Sequence, residues 1–275
     1  MSFNPDRINI HELTIEEPEK QAELPFDVER DITEEDWKVM EDELENSKKS
    51  NNWLGFSYRA MAMNILDPKR DLHLDKATWQ GMQSVLEEEQ KFNRWTSFAD
   101  QAVRMKILDP KIDLNINQNA LQEMKASLET LQQSKKILVE KEFDFSALAM
   151  AMKILNPKQD LNLDQTTWQE MTNKLEEDRH SNKWNDFSWQ AMKIKILDPR
   201  RDLHLDQAAW QGMLNVLEGK RSNINKFDFF TMAANMKILS AEEVKVTDSG
   251  LEINMRKEKD ALTAEVPPIP EIKKF

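Results

Sequence analysis

The chain has 275 residues, 39% of them hydrophobic, and 50 acidic against 38 basic side chains give it a net charge of −12. It has no cysteine, which excludes disulfides and thiolate metal sites, and only five glycines, too few for the tight turns of an α/β protein. Charge of this sign and size repels phosphate at long range, so a nucleic-acid partner is not expected.

Residues 1–30 are polar and acidic, carry Pro5, Pro18 and Pro25, and show no sustained period, which predicts a disordered or extended arm. The first residues lack the apolar run of a signal peptide, and no stretch of about 18 apolar residues is present to span a bilayer. A soluble cytoplasmic protein that does not enter membranes is expected.

Residues 31–243 are dominated by one unit, copied. The stretch from Ile65 to Met82 returns almost unchanged from Ile196 to Met213, and the prolines that anchor it, Pro68, Pro110, Pro157 and Pro199, are spaced by 42, 47 and 42 residues. The period is therefore 42 with one insertion of five. A period of this length is the mark of a stacked array, in which each unit completes its core only against its neighbours.

Each unit opens with a helical pattern, helix A. Phe56, Ala60 and Met63 fall at i, i+4 and i+7 on one helix face, and the same types recur at Phe98, Phe145, Phe187 and Phe229 with their followers. The proline ends helix A, because the residue before a proline is steered away from helical geometry. A second helix, B, then begins at Asp75 as N-cap, with Leu74 and Trp79 placed to form a hydrophobic staple. The pattern recurs at Ile116/Asn117/Leu121, Leu163/Asp164/Trp168 and Leu205/Asp206/Trp210, and a partial copy stands at Ile32/Thr33/Trp37. Helix B buries Trp79, Met82 and Leu86 and their equivalents.

The expected fold is all-α: an α-solenoid of about 42-residue helix-turn-helix repeats, with four full pairs and half-repeats at both ends. The insertion after Leu128 predicts a longer helix B through Leu131, Ile137 and Leu138. Residues 244–263 form a terminal cap. There, Val244-Lys-Val246 and Leu251-Glu-Ile253 flank Thr-Asp-Ser-Gly, a hairpin signal, with a degenerate helix as the alternative. Residues 264–275 are a proline-rich tail. The period resembles that of α-solenoids in general but is longer than the tetratricopeptide unit, and the likeness concerns architecture alone.

No catalytic constellation stands out, and the chain reads as non-enzymatic with no cofactor. Asp67, Asp71 and Asp75 are spaced by four but lack the glycine and glutamate of a calcium loop, so they read as turn and helix caps. His73 and His204 occupy a loop position that is asparagine at Asn115 and Asn162, which argues against a general base and for a shared polar role. Gly81 and Gly212 lie inside helix B, where a glycine permits close packing or a partner's approach; because Glu123 and Glu170 replace them in other copies, the position is expected to be exposed.

Behind each proline stand Lys69 and Arg70, Lys111, Lys158, and Arg200 and Arg201. Together with His73 and His204 they are the candidate partner-binding residues, as a basic ridge along one edge. The competing role is to neutralise the C-terminal ends of the A helices, together with Lys106, Lys153, Lys195 and Lys237. The function expected is an interaction scaffold or structural protein binding a protein partner through the array surface or the tails. The alternative is a nucleic-acid or polyanion binder using the ridge.

Overall fold

The computed structural model describes residues 26–133, 140–221, 227–248 and 250–255. It is mostly helical and ends in one two-stranded hairpin. A short helix α1 (Val28–Asp31) leads into α2 (Glu34–Lys49). The A helices are α3 (Trp53–Leu66), α5 (Trp95–Leu108), α7 (Glu140–Leu155), α9 (Trp184–Leu197) and α11 (Phe227–Ser240). The B helices after α2 are α4 (Lys76–Lys91), α6 (Gln118–Gln133), α8 (Gln165–His180) and α10 (Gln207–Arg221). Strands β1 (Glu243–Thr247) and β2 (Gly250–Asn254) follow.

The local reasons for these boundaries are those the residue types dictate. Asp75, Asp164 and Asp206 each accept the backbone N–H three residues on, at 2.8, 2.8 and 2.9 Å, and Asn117 does the same for α6. Thr33 opens α2 in a reciprocal capping box with Asp36. Asp67, Asp109 and Asp198 end their A helices in extended geometry, with φ of −141°, −140° and −142°, each directly before a proline.

The polar loop position has a conformational explanation. His73, Asn115, Asn162 and His204 have φ of 49°, 51°, 47° and 49°, so all four sit in the left-handed region. Their backbone N–H groups donate to Asp71, Asp113, Asp160 and Asp202 at 2.8, 2.9, 2.9 and 2.8 Å. Asparagine and histidine share this position, and both tolerate the left-handed backbone better than most side chains do.

The A helices pack side by side in the order α3, α5, α7, α9, α11, and α11 then packs on α3. An open stack would leave its two ends apart; here the first and last A helices touch and the series closes into a ring. Hydrogen bonds join matched positions of neighbouring helices, which run parallel at one height. Ser57 Oγ donates to Gln101 Oε1 at 2.8 Å, Ser146 Oγ to Gln190 Oε1 at 3.2 Å, and Asn64 Nδ2 to the Ile107 carbonyl at 3.0 Å. The repeat phenylalanines Phe56, Phe98, Phe187 and Phe229 are almost wholly buried between A and B layers, each worth about 1.5–3 kcal/mol of burial. Met82, Met213, Leu86 and Leu217 are buried beneath them, while Trp79, Trp168 and Trp210 are half-buried against the same core.

Four expectations need revision or restriction. Residues 26–30 belong to the fold: Phe26 is fully buried and α1 begins at Val28; residues 1–25 lie outside the described residues. α6 has 16 residues, like α4 and α8, and Ile137 and Leu138 of the insertion lie outside the described residues. Gly81 and Gly212 are not an exposed pair, because a Cβ there would come within 2.2 Å of the Trp53 and Trp184 rings. Each glycine lets a tryptophan from the preceding A helix lie flat on helix B. The terminal segment is the hairpin, with Glu243 opposite Asn254 and Thr247 opposite Gly250, while the tail 264–275 is outside the described residues.

Candidate functional site

The residues of the basic ridge have different surroundings. The Arg70 guanidinium lies 4.2 Å from the centroid of the Trp37 ring and pairs with Glu41 at 2.6 Å. Arg201 repeats the stacking over Trp168 at 4.0 Å, with Asp198 at 3.4 Å. In both cases an arginine of one loop clamps the tryptophan of the preceding helix B, a cation–π contact that ties unit to unit. Lys158 pairs with Asp248 of the hairpin turn at 2.7 Å. His73 and His204 face Asp71 and Asp202 at 3.2 and 3.5 Å on the exposed loops. Lys69, Lys111 and Arg200 are exposed to solvent.

Of the lysines near the A-helix ends, Lys106 and Lys153 donate to carbonyls of their own loops, Ile112 at 3.4 Å and Pro157 at 3.2 Å, while Lys195 and Lys237 act across helices. Lys195 Nζ donates to the carbonyls of Leu239 and Ala241, both at 2.8 Å, and Lys237 Nζ to that of Leu66 at 2.8 Å. Burial lowers the pKa of both lysines below the ordinary value. Asp67, Asp71 and Asp75 each take a backbone N–H, from Lys69, His73 and Thr78. Among the described residues no group of three or more His, Cys, Asp or Glu side chains is placed to hold a metal ion.

The ring encloses an axis that sequence reasoning did not single out. A cavity there is lined by all five A helices and by Leu251 of β2. Its first layer is Ile65, Ile107, Ile154, Ile196 and Ile238, one from each helix at the same register. One turn back stand Met61, Val103, Met150, Met192 and Ala234. The hairpin closes the isoleucine end: β1 and β2 pack on A helices, and Gly250, at φ 102°, leaves only 3.2 Å between a would-be Cβ and Pro110. The space open to the centre of a water-sized sphere is about 20 Å³, room for little more than one water.

Polar side chains gather toward the other end. Asp100, Trp189 and Thr231 line the cavity. Tyr58 donates to Asp100 at 3.1 Å, Arg104 pairs with Asp100, and the Arg104 guanidinium lies 3.3 Å from the Tyr58 ring centroid. Burial pushes Arg104 down to about 10, with Tyr58 opposing the shift, so it stays charged near neutrality. Arg104 also donates to Gln101 Oε1 at 3.2 Å and Ser57 Oγ at 3.4 Å. This cluster therefore joins α3 to α5.

The isoleucine layer was open to detection from sequence, because the residue nine after each repeat phenylalanine is isoleucine in every copy. Its role was hidden because it shares a helix with a second apolar face. No family model matches the chain, and neither curated proteins nor solved structures include a match. No helix among the described residues is long and apolar enough to cross a membrane.

Proposed function

We propose that the chain is a non-enzymatic interaction scaffold: a repeat array, related to an α-solenoid, whose helical hairpins close into a rigid ring that docks a protein partner on one rim. One observation carries the reading. The exposed large hydrophobic side chains among the described residues are Leu54 and Phe92, 45% and 58% exposed. Leu54 is the second residue of α3, and Phe92 lies three residues before α5, so both stand where parallel A helices begin. An apolar side chain held in water by a rigid frame is where a partner gains most from burial. Lys91 and Arg94 flank Phe92, with the Arg94 guanidinium 5.2 Å from its ring centroid, which supplies a polar rim.

The test is quantitative capture from the native cell with wild-type protein and with a Leu54→Glu/Phe92→Glu variant that keeps the wild-type melting curve. A protein enriched by the wild type and lost with the variant supports the reading. Equal recovery of the same proteins by both would remove the rim as the docking surface. The polyanion alternative rests on the exposed Lys69, Lys111 and Arg200, and the net charge of −12 weighs against it.

A further inference from the structure

Resting on the docking rim above and naming its partner's chemistry, we propose that the rim takes a short acidic segment of a partner protein, Asp and Glu side chains set around apolar anchors. Leu54 and Phe92 stand among cations. Three passages from a B helix into an A helix lie whole within the described residues, at 48–52, 90–94 and 179–183. They hold Lys48, Lys49, Lys91, Arg94, Arg179 and Lys183, and not one Asp or Glu. In a chain with 50 acids and 38 bases this is a local reversal of sign. Lys48, Arg94 and Arg179 already serve Asp75, Glu89 and Asp206. Lys49, Lys91 and Lys183 are exposed and form no ion pair among the described residues, so their charge is open to a ligand.

The ring adds to that charge. The A helices α3, α5, α7, α9 and α11 all begin on this face, and the positive end of each helix dipole lies there. Screening acts over about 8 Å at physiological salt, so a short segment on the rim meets the rim's charge rather than that of the whole molecule. A long polyanion would run past the rim onto the B helices, where Glu41, Asp42 and Glu45 of α2 are exposed, and is disfavoured for that reason. Two copies of the rim set face to face would oppose like charges, which disfavours a second copy of this chain as the occupant. Apolar anchors buried against Leu54 and Phe92 supply affinity, and the lysines select the class of partner and speed its approach.

The probe is a phage-displayed library of random dodecapeptides selected on the full chain, with the enriched peptides synthesised and titrated. Acidic peptides carrying apolar residues are expected, with affinity that falls as salt is raised. Leu54→Glu/Phe92→Glu and, separately, Lys49→Glu/Lys91→Glu/Lys183→Glu should each weaken them at least about tenfold while keeping the wild-type melting curve. Should the triple reversal not fold, the triple change to Gln is read instead, with a loss of at least about threefold. Peptides that need Leu54 and Phe92 but are neutral or basic overturn the acidic class and leave the docking rim standing. Binding indifferent to both sets of changes, or a selection with no enrichment, overturns the proposal. Heparin, phosphatidylserine vesicles or a second copy of the chain bound through these residues more tightly than the peptides also overturns it.

Discussion

Lys237 Nζ hydrogen-bonds the Leu66 carbonyl at 2.8 Å although 171 residues separate them in the chain. Lys195 makes the equivalent bond to Leu239 between consecutive A helices, and Asn64 donates to Ile107 from the same register. The joint between the last A helix and the first thus repeats the lysine bond of the α9–α11 joint. Removing it by Lys237→Ala should cost about 1.5–3 kcal/mol, the range for a hydrogen bond from a charged group, measured by denaturant unfolding. A smaller loss than about 0.5 kcal/mol would show that the seam is held by packing alone.

Lys195 and Lys237 also set an alkaline signature. Burial lowers both pKa values, so the unfolded chain binds more protons than the fold between the lowered value and the ordinary 10.5. Stability should therefore rise with pH through that window, and be reduced below it. Lys237→Met, which keeps the stem, should flatten the rise; urea midpoints taken across the window provide the check.

Acid acts through the caps. The Asp75 carboxylate is held well below the ordinary range, first by the Lys48 side chain and then by the Thr78 N–H; Asp206 is lowered first by the Ala209 N–H. Their contribution is present above the ordinary aspartate value and lost as pH falls through the lowered one. Asp75→Asn keeps a capping oxygen without the titration, so its melting temperature should fall less steeply in acid than that of the wild type.

Glycine in helix B gives a prediction of unusual sign. Helix propensity alone would make Gly81→Ala or Gly212→Ala stabilising by about 1 kcal/mol. The Cβ would, however, meet the Trp53 or Trp184 ring at 2.2 Å, so a loss of about 1–3 kcal/mol is expected from the forced displacement. In a Trp53→Ala background the Gly81→Ala change should turn favourable, and a double-mutant cycle reads the reversal.

At the loop position, His73→Asn should be nearly neutral, whereas His73→Val should cost about 1–2 kcal/mol, because a β-branched residue resists φ near 49°. Thermal unfolding of the two variants separates conformation from side-chain chemistry.

The hairpin units were legible because caps and proline stops act within a few residues of chain. Asp75, Asp164 and Asp206 could be placed by spacing alone. The glycines could not, since the ring that needs Gly81 comes from Trp53, 28 positions earlier in the numbering and on another helix. Closure was likewise hidden: an open array and a ring share one period and differ only in how far each unit turns relative to the last. Of the candidate site, the cationic residues were visible as a recurring group, yet the stacking of Arg70 on Trp37 and of Arg201 on Trp168 depends on neighbouring units meeting in space.

An open array gains or loses a unit at its end with little effect on the remainder. A ring of five A helices has no such freedom, since sharing one full circle fixes the mean turn at about 72° per unit. Excising a 42-residue unit would ask the survivors to turn through about 90° each, moving every latch, from Ser57–Gln101 to Lys237–Leu66, out of hydrogen-bond range. Copy number in this chain is therefore constrained by geometry, and duplication of a further unit would have to be accompanied by change at every interface.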